Sequence, residues 1–419
     1  MTPNAGRCVC CGTSVCPPDG ALPSGAAAAS RPREAGGRTA ALEDLRERLR
    51  RYGAGGAPAR VEARPKPAPA SGPDGVEVVR ARYGLAHRHG AVELGSSLEW
   101  VAADHNGATA GMVWLDTETT GLAGGTGTYA FLVGLAYLDG GALVTEQFLL
   151  RRLRSEAHLL AAVAERLAGR PHLVTFNGQR FDWPILESRF ILARQRPAAP
   201  EIHTDLITPA RRLWHRVLGT HRLSMLEAEV IGAPRHDDVP GWLIPGIYVD
   251  YLRSGNRMAL NPVLAHNRAD LLAMVVLHGE VIRTLRDPHG SIARFDWEGC
   301  GVLLVRRGEH GRAVGCFERA VEGTDDPGDR RRALRCLCRA YRLTGAEAAR
   351  CARLEAEAAS WRSADSYRAH VLEEVSKIRR RAGDRAGAKR TAHEALRLAA
   401  DLGLGTAAAR LTQRLARLG

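Results

Sequence analysis

An apolar run at residues 112–115 ends in two carboxylates, Asp116 and Glu118, which are two positions apart. Short apolar runs form buried β-strands, and residues i and i+2 of a strand lie on the same face of a sheet. Two carboxylates held this close repel each other, and their neighbours are Thr and Gly rather than Lys or Arg. A divalent cation such as Mg²⁺ or Mn²⁺ removes the conflict because it binds carboxylate oxygens. The pattern therefore predicts a strand that ends either at a metal site or, as is more common for this motif alone, in two solvated acids.

Strands and helices alternate around this run, which predicts an α/β domain over residues 76–290. Two short strands are expected at 78–82 and 91–94 before the core. The predicted core strands cover 112–115, 129–138, 143–150, 172–176 and 202–206. The predicted helices cover 156–167, 181–194, 208–218, 224–231, 240–253 and 262–285. We expect a five-stranded mixed sheet with flanking helices.

The strand pattern stops near residue 292, and small residues recur at fixed spacing in the remainder of the chain. Gly308, Ala313 and Ala320 are separated by five and seven positions, and the same intervals recur from Gly383 to Ala388 and Ala395. Small residues at fixed positions of paired helices resemble the tetratricopeptide repeat. We expect an all-α repeat domain at 292–419, with a plain helical bundle as the alternative.

Residues 1–75 are rich in Ala, Gly, Pro and Arg, which predicts a disordered tail. One short amphipathic helix is expected at 41–51. Four cysteines in the tail are a candidate zinc site, but their spacing departs from paired C-x-x-C motifs, which favours free thiols. These cysteines are Cys8, Cys10, Cys11 and Cys16.

The formal net charge is +13, which gives mild support for a polyanionic partner. The support is mild because nearly all cations are arginine in an Ala- and Gly-rich chain, the composition expected of GC-rich coding. No run of 18 apolar residues exists, so no transmembrane helix and no membrane partner are predicted. The N-terminal residues lack the apolar segment of a secretory signal, so the cytoplasm is the expected location.

Two further acids follow the predicted strands. Asp182 lies after the strand at 172–176, at the start of a helix, where an acid is also expected for capping alone. Asp270 lies four residues after His266, so both face the same side of a helix.

The order of these acids resembles that of the DEDD 3′–5′ exonuclease superfamily on the ribonuclease H-like fold, and more closely the YprB-type ribonuclease H-like domain family. The resemblance covers about residues 76–285. Five segments carry it: Asp116-Thr-Glu-Thr-Thr-Gly-Leu122, Gly124-Gly-Thr-Gly-Thr-Tyr129, Thr175-Phe-Asn-Gly178, Phe181-Asp-Trp-Pro184 and Asp237-Asp-Val-Pro-Gly-Trp-Leu-Ile-Pro245.

The resemblance implies that four carboxylates hold two Mg²⁺ or Mn²⁺ ions for hydrolysis of a phosphodiester bond. The implied metal ligands are Asp116, Glu118, Asp182 and Asp270, with Thr119, Asn177 and Gln179 as candidate substrate-binding residues. The implied reaction is 3′–5′ exonuclease cleavage of single-stranded DNA or RNA, and the helical repeats are a candidate surface for a protein partner. A structure-selective endonuclease and a non-catalytic adaptor are the two alternatives.

His266 departs from the superfamily's better-known subgroups. The histidine subgroup has its general base five residues before the last Asp, where this chain has Ala265. The tyrosine subgroup has a Tyr four residues before it, where this chain has His266. Three roles for His266 remain open: deprotonating water, orienting water, or packing.

Three other segments have structural interpretations. The glycine-rich segment 121–128 lacks the Gly-Lys-Ser/Thr ending of a P-loop, so a turn beside the carboxylates is expected. Asp237 and Asp238 are expected to cap the helix after Pro240. Asp205 ends a strand and is a candidate for supporting the site.

Overall fold

The computed structural model describes residues 75–121, 127–196, 199–344, 348–360 and 366–418. The predictions for the N-terminal tail, its short helix and its four cysteines fall outside these residues, as does the centre of the glycine-rich segment. The described chain divides into two compact units. The first, here called the sheet unit, comprises the described residues up to Ile207 together with Arg222–Glu280. The second, here called the helical unit, comprises Thr208–His221 and the chain from Val281.

The sheet unit is built on strands whose residues are mostly buried, because apolar side chains cover both faces of the central strands. The strands are β1 (Val76–Tyr83), β2 (Arg88–His89), β3 (Val92–Glu93), β4 (Met112–Thr119), β5 (Ala130–Asp139), β6 (Ala142–Leu150), β7 (His172–Thr175) and β8 (Ile202–Asp205).

The main sheet has the strand order β1-β6-β5-β4-β7-β8. It therefore has six strands rather than the five expected, because β1 pairs along its whole length with β6 at the edge. The pairs β1–β6, β6–β5 and β5–β4 are antiparallel, whereas β4–β7 and β7–β8 are parallel. Since parallel strands end at the same edge, the last residues of β4, β7 and β8 meet there.

Helices flank this sheet and close its core. The helices of the sheet unit are α1 (Leu94–Asp104), α2 (Glu156–Leu167), α3 (Asp182–Leu192), α5 (Leu223–Leu226), α6 (Ile244–Ser254) and α7 (Asn261–Arg286), the last of which continues into the helical unit. Helix α1 was not predicted, because its second to fourth residues are Gly, Ser and Ser. These residues have low helix propensity, but Leu94, Leu98 and Val101 bury one face of α1.

The helical unit contains no strand among its described residues. Its helices are α4 (Ile207–Leu218, from Thr208 onward), α8 (Trp297–Arg306), α9 (His310–Glu322), α10 (Pro327–Thr344), α11 (Ala348–Ser360), α12 (Ser366–Arg381), α13 (Arg385–Asp401) and α14 (Gly405–Ala416). Gly308 and Gly383 both have positive φ, at 80° and 85°, in the turns after α8 and α12. Ala313 and Ala388 then lie fully buried at equivalent positions of the next helix. Among the described residues, every helix is too short or too polar to cross a bilayer.

Candidate active site

Asp116 and Glu118 lie in the second half of β4, after four buried apolar residues. Asp116 pairs across the sheet with Gly134 of β5, which in turn pairs with Gln147 of β6. The register between β4 and β5 shifts between Glu118 and Thr119, the last paired residue of β4. The two carboxylates therefore lie near the carboxyl end of a central strand of the sheet.

Asp182 is the first residue of α3, and it is tied directly to β4. Its Oδ1 accepts hydrogen bonds from the Thr117 backbone nitrogen at 3.0 Å and from Thr117 Oγ1 at 2.6 Å. Thr117 is the residue between the two β4 acids, so Asp182 is held beside both. Pro184 is accommodated because it lies in the first turn of α3, where no backbone donor is needed.

Asp270 and His266 lie one turn apart on α7. The Nε2 atom of His266 is 3.5 Å from Asp270 Oδ2 and 4.0 Å from Glu118 Oε1. The Nδ1 atom is 2.7 Å from Asp238 Oδ1. The imidazole is thus oriented by Asp238 on one side and faces the acids on the other.

Asp238 does not cap a helix, which corrects the capping interpretation for this residue. The turn after Pro240 has no side-chain cap, and the backbone nitrogen that donates to Asp238 is that of the neighbouring Val239, at 2.9 Å. Its carboxylate is used instead by His266 and by Arg235, whose Nη1 is 3.2 Å from Asp238 Oδ2. A charged donor binds a carboxylate more strongly than a backbone amide does, which explains the outcome.

Arg235 is a member of the site that no sequence motif predicted. Its side chain is 10% exposed and forms ion pairs with Asp238, Glu227 and Asp270. Glu227 is itself buried, and its other oxygen is 2.7 Å from His89 Nε2. One guanidinium therefore joins three carboxylates from separate segments of the chain.

Asn267 was not predicted either, although it lies beside His266 in the sequence. It is fully buried, and its Nδ2 donates to Asp116 Oδ2 at 2.7 Å. Its Oδ1 accepts from Gln147 Nε2 at 2.8 Å. A Cβ atom at Gly134 would lie 2.2 Å from Asn267 Oδ1, so only glycine leaves room for this amide.

Comparison with known proteins agrees with this arrangement. Residues 113–282 match the RNase_H superfamily. Over 255 residues the chain is 32% identical to the uncharacterized protein YprB of Bacillus subtilis (strain 168). Residues 113–282 therefore form a ribonuclease H-like domain, which is similar to that of YprB. The match covers 57% of this chain and 61% of YprB, so the chain spans about three fifths of that relative's length.

The acids of the ribonuclease H-like domain have strongly shifted pKa values. Burial, with the charges of Asp270, Glu118 and Asp182, raises the pKa of Asp116 well above its ordinary value. Burial raises the pKa of Glu118 to about 8 against the opposing charge of His266. It also raises the pKa of Asp182 to about 6, although the hydrogen bonds from Thr117 lower it. Burial raises the pKa of Asp270, with Arg235 opposing. The four carboxylates are therefore close enough to disfavour each other's charge.

This donor set fits a hard divalent cation, because carboxylate oxygens are its preferred ligands and their repulsion is relieved by its charge. In the described part of the chain, however, no group of three or more His, Cys, Asp or Glu side chains forms a ready-made metal site. Asp270 is occupied by Arg235 and Asp182 by Thr117. Loading of a cation therefore requires these side chains to rearrange.

The three candidate substrate-binding residues have local hydrogen bonds at the same sheet edge. Thr119 Oγ1 donates to the Gly121 carbonyl at 2.8 Å. The backbone nitrogens of Asn177 and Gln179 donate to the Asp205 carboxylate at 2.6 and 3.1 Å. Asn177 has a positive φ of 66°, and the Gln179 side chain donates to the His203 carbonyl at 2.9 Å. Asp205 thus shapes the loop that leads to Asp182.

Proposed function

We propose that the protein is a metal-dependent nuclease that hydrolyses phosphodiester bonds, acting as a 3′–5′ exonuclease on single-stranded DNA or RNA. One observation carries the proposal: four largely buried carboxylates from β4, α3 and α7 lie at one edge of the sheet of a ribonuclease H-like domain. Buried like charges without a stability role are typical of catalytic sites.

Asp116, Glu118, Asp182 and Asp270 are the residues that would hold two Mg²⁺ or Mn²⁺ ions. Such cations, when bound, act as Lewis acids at the scissile phosphate and lower the pKa of the attacking water. Asn267 fixes the orientation of Asp116 through its hydrogen bond to Oδ2. Arg235 would release Asp270 for this purpose and keep its ion pairs with Glu227 and Asp238.

His266 is placed to take the proton of the attacking water at Nε2. Burial lowers its pKa, but the hydrogen bond to Asp238 and the charges of Asp270 and Glu118 outweigh this effect and raise the pKa to about 8. Neutralising Asp270 and Glu118 removes two of the raising charges, which frees Nε2 to act as a base.

For the remainder of the chain we propose a tetratricopeptide-like repeat domain at 292–419, which follows the nuclease domain at 76–290. The matching turns at Gly308 and Gly383, each followed by a buried alanine, support two equivalent helical pairs. Repeat helices of this type present broad surfaces to partners.

The test is cleavage of end-labelled single-stranded DNA and RNA by the purified protein with Mg²⁺ or Mn²⁺. A ladder of products shortened from the 3′ end is expected. Discrete products, or cutting of a circular single strand, would establish an endonuclease instead. Binding without cleavage, in wild type and Asp116→Asn alike, would establish an adaptor. Asp116→Asn also serves as the control for contaminating nucleases.

A further inference from the structure

The exposed face of α13 carries a continuous group of basic side chains. With 3.6 residues per turn, these side chains fall within a sector about 140° wide. All are exposed, whereas the opposite side of α13 is buried. The residues of this basic face are Arg385, Lys389, Arg390, His393 and Arg397.

The basic face belongs to the most positively charged part of the described chain. Residues 366–418 contain twelve Lys or Arg and five Asp or Glu. Residues 75–280, which include the candidate active site, contain twenty Lys or Arg and twenty-one Asp or Glu. The region with the acidic site therefore has almost no net attraction for a polyanion, and the positive charge lies elsewhere in the chain.

Neighbouring Lys and Arg side chains on α12 and α13 differ in whether they form ion pairs within the protein. Arg379 pairs with Glu355 and Asp384, and Lys377 pairs with Glu373. Within the described residues, Arg385, Lys389 and Arg397 form no such ion pair, and Arg390 acts on Asp384 only at longer range. The side chains of the basic face are thus available to an external anion.

We propose that the basic face binds the phosphates of single-stranded nucleic acid. The proposal rests on the proposed function, since the bound strand is the nuclease substrate. The apolar residues of α13 support a polyanion over a protein partner, because Ala388, Ala392, Ala395 and Ala399 are buried and the apolar side chains within the basic sector are two alanines and one half-buried leucine. These three residues are Ala386, Ala400 and Leu396. The face also lacks Phe, Tyr and Trp for stacking bases, so binding is to the backbone and independent of sequence.

The test compares two variants of equal net charge in the full chain. One carries Arg385→Gln, Lys389→Gln, Arg390→Gln and Arg397→Gln. The control carries Arg294→Gln, Arg306→Gln, Arg319→Gln and Arg339→Gln, four exposed arginines on other parts of the helical unit. Circular dichroism confirms that both variants are folded.

Binding is measured by fluorescence anisotropy with labelled oligo-dT and oligo-U of about 20 nucleotides, in chelator so that no cleavage occurs. The basic-face variant is expected to bind about tenfold or more weakly at low salt. The slope of log K against log salt should fall by up to about 3, at roughly 0.7 for each phosphate that the variant no longer neutralises. The control should keep most of the affinity and slope.

Equal losses in the two variants, or an unchanged basic-face variant, would overturn the proposal. Binding of poly-glutamate with the same affinity and salt slope would overturn nucleic acid as the specific partner. The outcome is separable from the proposed function because Asp116→Asn is expected to bind normally and not cleave. A basic-face variant that binds normally while wild type cleaves would refute only this inference.

Discussion

Asp116 lies among three other carboxylates and accepts a side-chain hydrogen bond from Asn267. Asp116→Asn should reduce cleavage at least ~10²-fold, the scale of losing one charge-stabilising group. It should not lower the melting temperature in chelator, because a neutral amide removes repulsion that the fold otherwise opposes. Cleavage time courses and thermal unfolding measure the two effects. Undiminished cleavage in a clean preparation would place the chemistry at another site.

His266 is predicted to be the general base. His266→Ala should then cut the rate steeply at about pH 6.5 and much less at about pH 9, where hydroxide is more abundant. The wild-type rate should rise with pH through the imidazole range. Asp238→Asn should shift this profile while retaining activity, since Asp238 orients Nδ1 and contributes to the raised pKa. A small loss of equal size at both pH values would exclude the base role.

At the scale of elements, β5 and α7 approach each other at a single glycine. In Gly134→Ala the new Cβ would be 2.2 Å from Asn267 Oδ1, so Asn267 must move away from Asp116. We expect a loss of about 1–3 kcal/mol in unfolding free energy, as for other overpacked sites, together with reduced cleavage. Urea unfolding and cleavage rates measure both quantities.

Gly246→Ala on α6 is the matched control, because a Cβ there meets no atom within 4 Å. A helical Gly→Ala change in open space should be neutral or stabilising. If Gly134→Ala behaved like this control, the close packing of Asn267 would not constrain Asp116.

The elements themselves were largely predictable from the sequence, and the contacts between them were not. The predicted ranges of β5 and β6, 129–138 and 143–150, are within one residue of the observed strands. β4 was predicted to end with its apolar run at 115 but continues to Thr119. Asp182 and Asp270 were proposed as site residues because each lies in a short local motif. Arg235 and Asn267 could not be found in this way, since their partners Asp270 and Asp116 are 35 and 151 residues away in the chain. Only tertiary packing brings such pairs together.

At the scale of the whole molecule, buried histidines in the sheet unit make stability depend on pH. His278 is fully buried with neither ring nitrogen hydrogen-bonded, and burial with the neighbouring His105 and His172 lowers its pKa well below the ordinary value. Burial also lowers the pKa of His172 to about 3 and of His203 to about 4. As pH falls, the unfolded chain protonates these histidines before the folded chain does. The stability of the fold is therefore unaffected by their titration above about pH 6.5 and decreases as pH falls below it.

The raised pKa values of the active-site acids have the opposite effect, since they make the stability of the fold decrease as pH rises. The prediction therefore compares wild type with a variant in which these acids are unchanged. His278→Leu should be more stable than wild type at neutral pH because two unpaired buried nitrogens are removed. As pH falls below about 6.5, its advantage should grow by up to about 1.4 kcal/mol for each pH unit. Urea unfolding across this range measures the difference. A constant difference would show that His278 is not kept neutral by the fold.

The guanidinium of Arg235 places a positive charge of the chain itself among the carboxylates of the candidate active site. The surplus of negative charge is thereby partly balanced whether or not ions are supplied from outside. If cations bind at this site, as we propose, the stability of the fold should therefore depend little on their concentration. On the same proposal, removing the cations would stop cleavage without unfolding the protein, and returning them would restore it.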